Sequence, residues 1–285
     1  MRIAAVQMCA TDDVAANLTR AAALIAEAAE AGAHLVALPE NFACYGGPYR
    51  SLAIEQGVAL QQWLAQQAVD RGIWLLGGTI PLATRPDGDP VPAPRVRTVS
   101  LLYTPSGQLA ARYDKLHLFD ANVPDAQGAY CESDVFEPGD SLVTARIDGI
   151  MLGMAVCYDL RFASLARALA DRGANLLVYP SAFTAVTGAA HWEVLLRARA
   201  IESGCYVLGV NQCGQHNPRR ASHGHSMLID PWGEVVTTLA DTPGVLCADI
   251  DSTRVQEVRQ RLPVHLHQRL LTRLSDDIRD DTCND

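Results

Sequence analysis

No cluster of basic residues, no long apolar run and no C-x-x-C pair occurs in this 285-residue chain. With a formal charge of -9 and a pI near 5.3, the first absence argues against nucleic acid or an anionic membrane as partner, since both select for clustered Lys and Arg. The second leaves nothing close to the roughly 18 apolar residues of a membrane span. The opening MRIAAVQMCATDD is too short and too polar for a secretion signal, so cytoplasmic residence is the expectation. The third absence concerns eight scattered cysteines, which fit reduced thiols better than a disulfide framework or a thiolate zinc site.

What the chain does have is core material, 49% hydrophobic residues, arranged in a repeating grammar. RIAAVQM reads as a buried strand, NLTRAAALIAEAAEAGA as a helix ending at Gly32, and HLVALPE as a strand stopped by Pro39. Such a unit forces parallel pairing through a right-handed crossover. The grammar returns in IMLGMAVCYD, RFASLARALADRGA and NLLVYPSA. EAGAHLVALPE and DRGANLLVYPS agree in length, in the glycine that ends the helix and in the proline that ends the strand, which suggests two similarly built halves. Further strands are legible in WLLGGTI, after a helix over 58–71, and in RTVSLLYT with LAARYDKLHL around a Pro-Ser-Gly turn. SLVTARI and IMLGMAV meet at Asp148-Gly149, a strong hairpin signal, and HSMLID, EVVTTL and GVLCADID close the sheet-forming part. Many strands, few helices and no flexible linker predict one α/β domain of layered sheets over 1–262. The charged remainder, 263–285, ending in DDIRDDTCND, reads as a mobile or partner-docked tail.

In sheets of this kind ligands lie beyond the carboxyl ends of the parallel strands. Glu40, after HLVALP, and Cys157, after IMLGMAV, both fall there. A lone cysteine is ordinarily one more small buried hydrophobe. At a strand-to-helix turn, however, helix N–H groups and a nearby cation can lower a thiol pKa into the range of about 3.5–7.5, and Glu40 could act as base. YDKLHLFD offers Lys115 as the cation. It also offers His117, which keeps a Cys-His hydrolase as a competing assembly.

These segments resemble the carbon-nitrogen hydrolase, or nitrilase, superfamily, from RIAAVQM to about LPVHLHQR. The likeness rests on LVALPEN, YDKLHLFD, AVCYDLRF, HWEVLLRARAIES and GHSMLIDPWGEV in this order. It implies a four-layer α-β-β-α sandwich that forms a homodimer or higher homo-oligomer through helices, and a site without metal or cofactor. By the same resemblance Glu40 is the general base, Lys115 the cation that receives the oxyanion with the Tyr158 N–H, and Cys157 the nucleophile. Glu132, in YCESDVFEPGD, would hold Lys115. Tyr-Asp after Cys157, where nitrilases carry Trp-Glu, favours amides over nitriles. The run CYDLRF with FTAVTGAAHWEVLLRARAIE is similar to the branch containing deaminated glutathione amidase and omega-amidase. The implied substrate is a small carboxylate-bearing amide, cleaved through a thioester with release of ammonia. An N-carbamoyl amino acid amidohydrolase or a nitrilase is the alternative. Arg161 could clamp the substrate carboxylate in bidentate fashion, with Phe183 and Thr187 lining the pocket. Where the branch commonly has Pro-Glu after RF, this chain has Ala163-Ser164.

Other signals read as structural. Glu193 with Arg197, and Arg199 with Glu202, have helix-supporting spacing. Cys213, His216, His223 and His225 span a Pro- and Arg-containing loop without zinc-ligand spacing. Trp192 and Trp232 read as anchors, His265 and His267 as solvated, and Asp159 as a turn-fixing or proton-transferring neighbour of Cys157.

Overall fold

A computed structural model describes residues 1–269 of the chain. The acidic end, Cys283 included, lies outside the described residues. The first half runs β1 (Arg2–Gln7), α1 (Val14–Glu30), β2 (Leu35–Ala37), α2 (Tyr49–Arg71), β3 (Trp74–Leu76), β4 (Ile80–Leu82), β5 (Arg97–Tyr103) and β6 (Leu109–Asp114). A short hairpin, β7 (Asp120–Asn122) and β8 (Ala129–Cys131), connects to the second half. That half runs β9 (Thr144–Ile147), β10 (Ile150–Met154), α3 (Ala163–Asp171), β11 (Leu176–Ser181), α4 (Ala185–Ser203) and β12 (Tyr206–Asn211). It continues through β13 (Cys213–Asn217), β14 (Arg220–His223), β15 (Met227–Ile229) and β16 (Val235–Thr238). Last come β17 (Gly244–Asp249), α5 (Ser252–Arg261) and the short α6 (Val264–His267).

Two mixed sheets result, ordered β17-β1-β2-β3-β5-β4 with β6 beside β5, and β16-β15-β12-β11-β10-β9. The period-two alternation of β1 decides the layering. Ile3 and Ala5 face the second sheet in a core with Leu152, Leu176 and Val207, whereas Ala4 and Val6 face Ile25, Leu60 and Leu64 of α1 and α2. On the far side Leu165, Leu169, Trp192 and Leu196 of α3 and α4 cover the second sheet. Helix, sheet, sheet, helix is the α-β-β-α sandwich that the resemblance implies.

The repeated grammar has a geometric counterpart. His34 N–H donates to Arg2 O at 2.9 Å and Trp74 N–H to His34 O at 2.9 Å; in the second half Asn175 N–H donates to Met151 O at 2.9 Å and Tyr206 N–H to Asn175 O at 3.0 Å. Gly32 and Gly173 both take positive φ, 83° and 90°, where each helix turns into its strand. One difference is that β11 continues through Pro180 to Ser181, while β2 stops at Ala37.

Four boundaries differ from the sequence expectation. Helix α2 begins at Tyr49, not at residue 58, with Leu52, Leu60 and Leu64 on its buried face. WLLGGTI is two strands, β3 and β4, split at Gly77-Gly78 and each paired with β5. LAARYDKLHL is a strand only to Asp114. The Pro- and Arg-containing loop is the antiparallel hairpin β13-β14.

Candidate active site

The carboxyl ends of β2, β10, β11 and β12 converge on one rim, and the segments that follow them supply the site. Beyond β2, Leu38 N–H bonds Leu76 O at 2.9 Å and carries the chain through Pro39 to Glu40. Gly78, at φ 52°, makes that path possible, since a Cβ there would stand 2.1 Å from Pro39 O. Glu40 is 2% exposed. Its Oε2 accepts from the Ala182 N–H at 3.0 Å, its carbonyl from Gln212 Nε2 at 2.9 Å, and its Oε1 from Lys115 Nζ at 2.8 Å.

Lys115 follows β6 and is buried. Its N–H donates to Thr98 O at 3.0 Å, and its carbonyl accepts from Gly139 N–H at 2.7 Å. Its ammonium also reaches Glu132 Oε2 at 2.8 Å, an oxygen that accepts from the Phe119 N–H at 2.8 Å as well. Glu132 opens a single 3₁₀ turn, Glu132–Asp134. Two carboxylates therefore share one buried cation, a geometry that fixes the ammonium between them.

Cys157 opens another 3₁₀ turn, Cys157–Arg161, and has φ 46°. This is a sparsely populated conformation for a residue with a side chain, and helix α3 itself begins only at Ala163. Asp159 holds the turn. Fully buried, it accepts from Val156 N–H at 2.8 Å, Tyr113 Oη at 2.7 Å and His117 N–H at 3.1 Å. Arg199 on α4 supports the same turn from behind, with Nε on Leu160 O at 2.9 Å and Nη2 on Arg161 O at 3.3 Å.

The Cys157 thiol shares one cavity with Glu40, Glu132 and Ala182 and feels the charges of Glu40 and Lys115. The sequence expectation of a lowered thiol pKa is overturned. Burial pushes Cys157 well above its usual value and the Glu40 charge adds to this, outweighing Lys115 and the Ala182 amide. Burial likewise raises Glu40 above the ordinary carboxylate value, against the pull of Lys115. Burial alone would lower Lys115, but Glu132 and Glu40 outweigh it and hold the ammonium well above its usual pKa. The resting group is thus a thiol beside a carboxylate of raised basicity, next to a permanent cation. Such a set can move the thiol proton to Glu40 as sulfur attacks, and meet a developing oxyanion with Lys115.

Cys157 borders two cavities. One, about 20 Å³, is lined by Tyr158, Arg161, Phe183 and Thr187 with Phe119 and Thr184. The other, about 100 Å³, is lined by Glu40, Glu132, Tyr45, Tyr49, Tyr130 and Arg220 among others. All eight residues singled out in the sequence therefore meet around one sulfur. Tyr158 sits second in the 3₁₀ turn, where N–H groups lack intrahelical partners. The Arg161 guanidinium lies 5.2 Å from the Phe183 ring centre and donates to His191 Nδ1 at 3.2 Å.

The Cys-His alternative has no support here. His117 lies past the end of β6, its Nδ1 bonded to Asp159 Oδ1 at 2.7 Å and its ring stacked on Phe162 at 3.6 Å. Among the described residues no group of His, Cys, Asp and Glu could hold a metal ion, and His216 bonds Ala10 O and Ser222 Oγ instead. Sequence reasoning missed the Ala182 amide, Arg199 as a support and Arg220 as a cavity wall. Arg199 was within reach of it: Trp192, Leu196, Arg199 and Ser203 share the buried face of α4.

The carbon-nitrogen hydrolase family model matches residues 2–260, so the chain belongs to that family, whose members hydrolyse C–N bonds. Within it, the chain is 39% identical over 281 residues to the deaminated glutathione amidase of Yersinia enterocolitica, covering 96% of each chain. It is 36% identical over 274 residues to the omega-amidase of Mus musculus, covering 94% of this chain and 95% of that one. The crystal structure of the C. elegans NitFhit protein superposes with a TM-score of 0.83 at 36% identity, covering 94% of this chain and 65% of that one. The protein is a hydrolase acting on amide C–N bonds.

Proposed function

We propose that this amidase cleaves a small carboxylate-bearing amide, of the deaminated glutathione or keto-acid omega-amide class, through a thioester on Cys157. The observation that carries the reading is the shared contact of Lys115 Nζ, 2.8 Å from both Glu40 and Glu132, beside the Cys157 sulfur. Glu40 accepts the thiol proton as Sγ bonds to the carbonyl carbon. The oxyanion is received by the Lys115 ammonium and the Tyr158 N–H, and Glu132 keeps Lys115 aimed. As the tetrahedral adduct collapses, Glu40 returns the proton to the nitrogen and the C–N bond breaks. Water then gives a proton to Glu40 while its oxygen attacks the thioester, and the sulfur leaves and is reprotonated. Ammonia is the product of an unsubstituted omega-amide, whereas a substituted amide releases its amine.

Arg161, free of any carboxylate partner among the described residues, receives the substrate carboxylate, and Phe183 and Thr187 shape the pocket beside it. The relatives named above supply the substrate class. Apolar side chains exposed on α2 and α4, such as Val58, Val194 and Ile201, support a homodimer or higher homo-oligomer built on helices. No described helix is long and apolar enough to cross a membrane, consistent with action in the cytoplasm. Residues 1–262 form the hydrolase domain in this reading, with 263–285 a C-terminal extension.

The test is an amine and ammonia release assay over deaminated glutathione, α-ketoglutaramate, ureidopropionate and simple nitriles. Carboxylate-bearing amides should be turned over first, Cys157→Ala should abolish turnover, and Arg161→Met should raise KM for them by about tenfold to a hundredfold. Full activity in Cys157→Ala, or preference for nitriles, would discard the reading.

A further inference from the structure

Resting on the reading of Arg161 given above, we infer that His191 is a positioning residue, a latch that sets the Arg161 guanidinium in place before the substrate arrives. His191 lies on the exposed side of α4. The rotation of that helix is fixed by the next residue. Trp192 is fully buried, donates from Nε1 to His225 O at 2.8 Å and packs its ring 4.9 Å from that of Phe183. So held, the helix brings His191 Nδ1 to 3.2 Å from Arg161 Nη1. A guanidinium has no lone pair to offer, so the imidazole is the acceptor, with its own proton on Nε2.

One helix therefore grips Arg161 at both ends. Arg199 of α4 donates to the Arg161 carbonyl at 3.3 Å, while His191, about 12 Å earlier along the helix axis, holds the tip of the side chain. Between these points the guanidinium carbon lies 5.2 Å from the Phe183 ring centre and 5.8 Å from that of Tyr158. Aromatic faces steady a guanidinium without using its N–H donors. Among the described residues its only hydrogen bond is the one to His191. Nε and Nη2 thus keep their donors and form a free edge for a bidentate carboxylate.

The cavity that Arg161 lines beside Cys157 is only about 20 Å³, close to the size of one water molecule. At that size a displaced guanidinium blocks the cavity or abandons it. An untethered arginine samples many rotamers, and ordering it in advance spares the substrate that loss on binding. His191 touches neither the sulfur nor the cavity wall, so its effect runs through Arg161 alone.

The experiment is a double-mutant cycle on α-ketoglutaramate, using wild type, His191→Leu, Arg161→Met and the double variant, with His191→Gln as the variant that restores an acceptor. His191→Leu should raise KM about threefold to tenfold with kcat within twofold of wild type. His191→Gln should recover part of that rise, and His191→Leu should add nothing once Arg161 is Met. An unchanged KM in His191→Leu, or the same rise in the Arg161→Met background, overturns the inference and leaves the Arg161 reading standing. A rise that His191→Gln does not reduce at all overturns it as well, since the helix surface and not the acceptor would then be responsible. An unchanged KM in Arg161→Met overturns the Arg161 reading and the latch together.

Discussion

Tyr113 Oη donates to Asp159 Oδ2 at 2.7 Å inside the protein, joining a residue two positions before Lys115 to one two positions after Cys157. Together with the His117 bonds to Asp159 Oδ1, it couples the placement of cation and sulfur. Tyr113→Phe keeps the ring and removes this bond together with the one the hydroxyl accepts from the Leu116 N–H at 3.3 Å, so it should lower kcat about tenfold with KM little changed and cost about 1–2 kcal/mol of stability. Steady-state kinetics with urea denaturation would check both. A loss confined to stability would make the bond purely architectural.

The raised Glu40 pKa sets the acid side of the rate profile. Glu40 must be ionised to take the thiol proton, so kcat/KM should fall as pH drops through its folded value, which lies above the ordinary 4.5. Lys115, held well above 10.5, stays charged and adds no loss near neutrality. Glu40→Gln should erase the acid limb and reduce kcat by about 10²–10⁴. Initial rates across the pH range test this, and an acid limb at or below 4.5 would contradict it.

Removing the shared cation should be felt first as instability. Lys115→Met leaves the buried Glu40 and the half-buried Glu132 with no cation between them, at a cost of about 3–5 kcal/mol. Thermal melting should show a clear fall for this variant and a smaller one for Lys115→Arg. Equal melting temperatures for Lys115→Met and wild type would mean that the carboxylates are not charged together.

Glu137 stabilises the wall behind Lys115. Its Oε1 accepts from Arg97 Nε at 2.8 Å and from Arg85 Nε at 2.8 Å, and these partners pull its carboxyl down from 4.5 to about 2. A depressed folded pKa contributes stability that is complete above the unfolded value and is lost as pH falls through the folded one. Glu137→Gln should therefore be less stable than wild type by about 2–3 kcal/mol at pH 7, with the gap closing between pH 4.5 and 2. Denaturation at pH 7 and pH 3 measures the gap.

Arg199→Met should disturb chemistry from behind the turn. It strips the donors from Leu160 O and Arg161 O, so both kcat and the affinity for a carboxylate substrate should fall, with about 2–4 kcal/mol of stability lost. Arg199→Lys, able to reach one carbonyl, should lie between. Unchanged KM in the Met variant would uncouple Arg161 from this support.

Much of the fold was legible because local pattern and tertiary demand agree. The parallel units over β1-α1-β2 and β10-α3-β11, and the turn at Asp148-Gly149, follow from alternation, helix period and turn chemistry alone. The site positions followed from strand ends, and their assembly from the family likeness. Resting protonation was not legible, because the Cys157 pKa depends on burial and on Glu40, whose approach no spacing encodes. Neither was the 3₁₀ turn at Cys157, whose five residues carry no period long enough to read. Arg220 escaped for the same reason as its hairpin: the pairing that carries it to the cavity is decided by contacts with residues far away in the chain.

The matched hydrogen bonds of the two halves have a consequence for where reactivity resides. Glu40 hangs from the first frame and Cys157 from the second, and the amide that steadies Glu40, that of Ala182, comes from the second as well. The reactive unit is thus a joint between twin brackets rather than the property of either. Its accuracy is the accuracy with which the brackets register, and any sideways slip longer than a hydrogen bond tolerates would leave both intact and the joint inert.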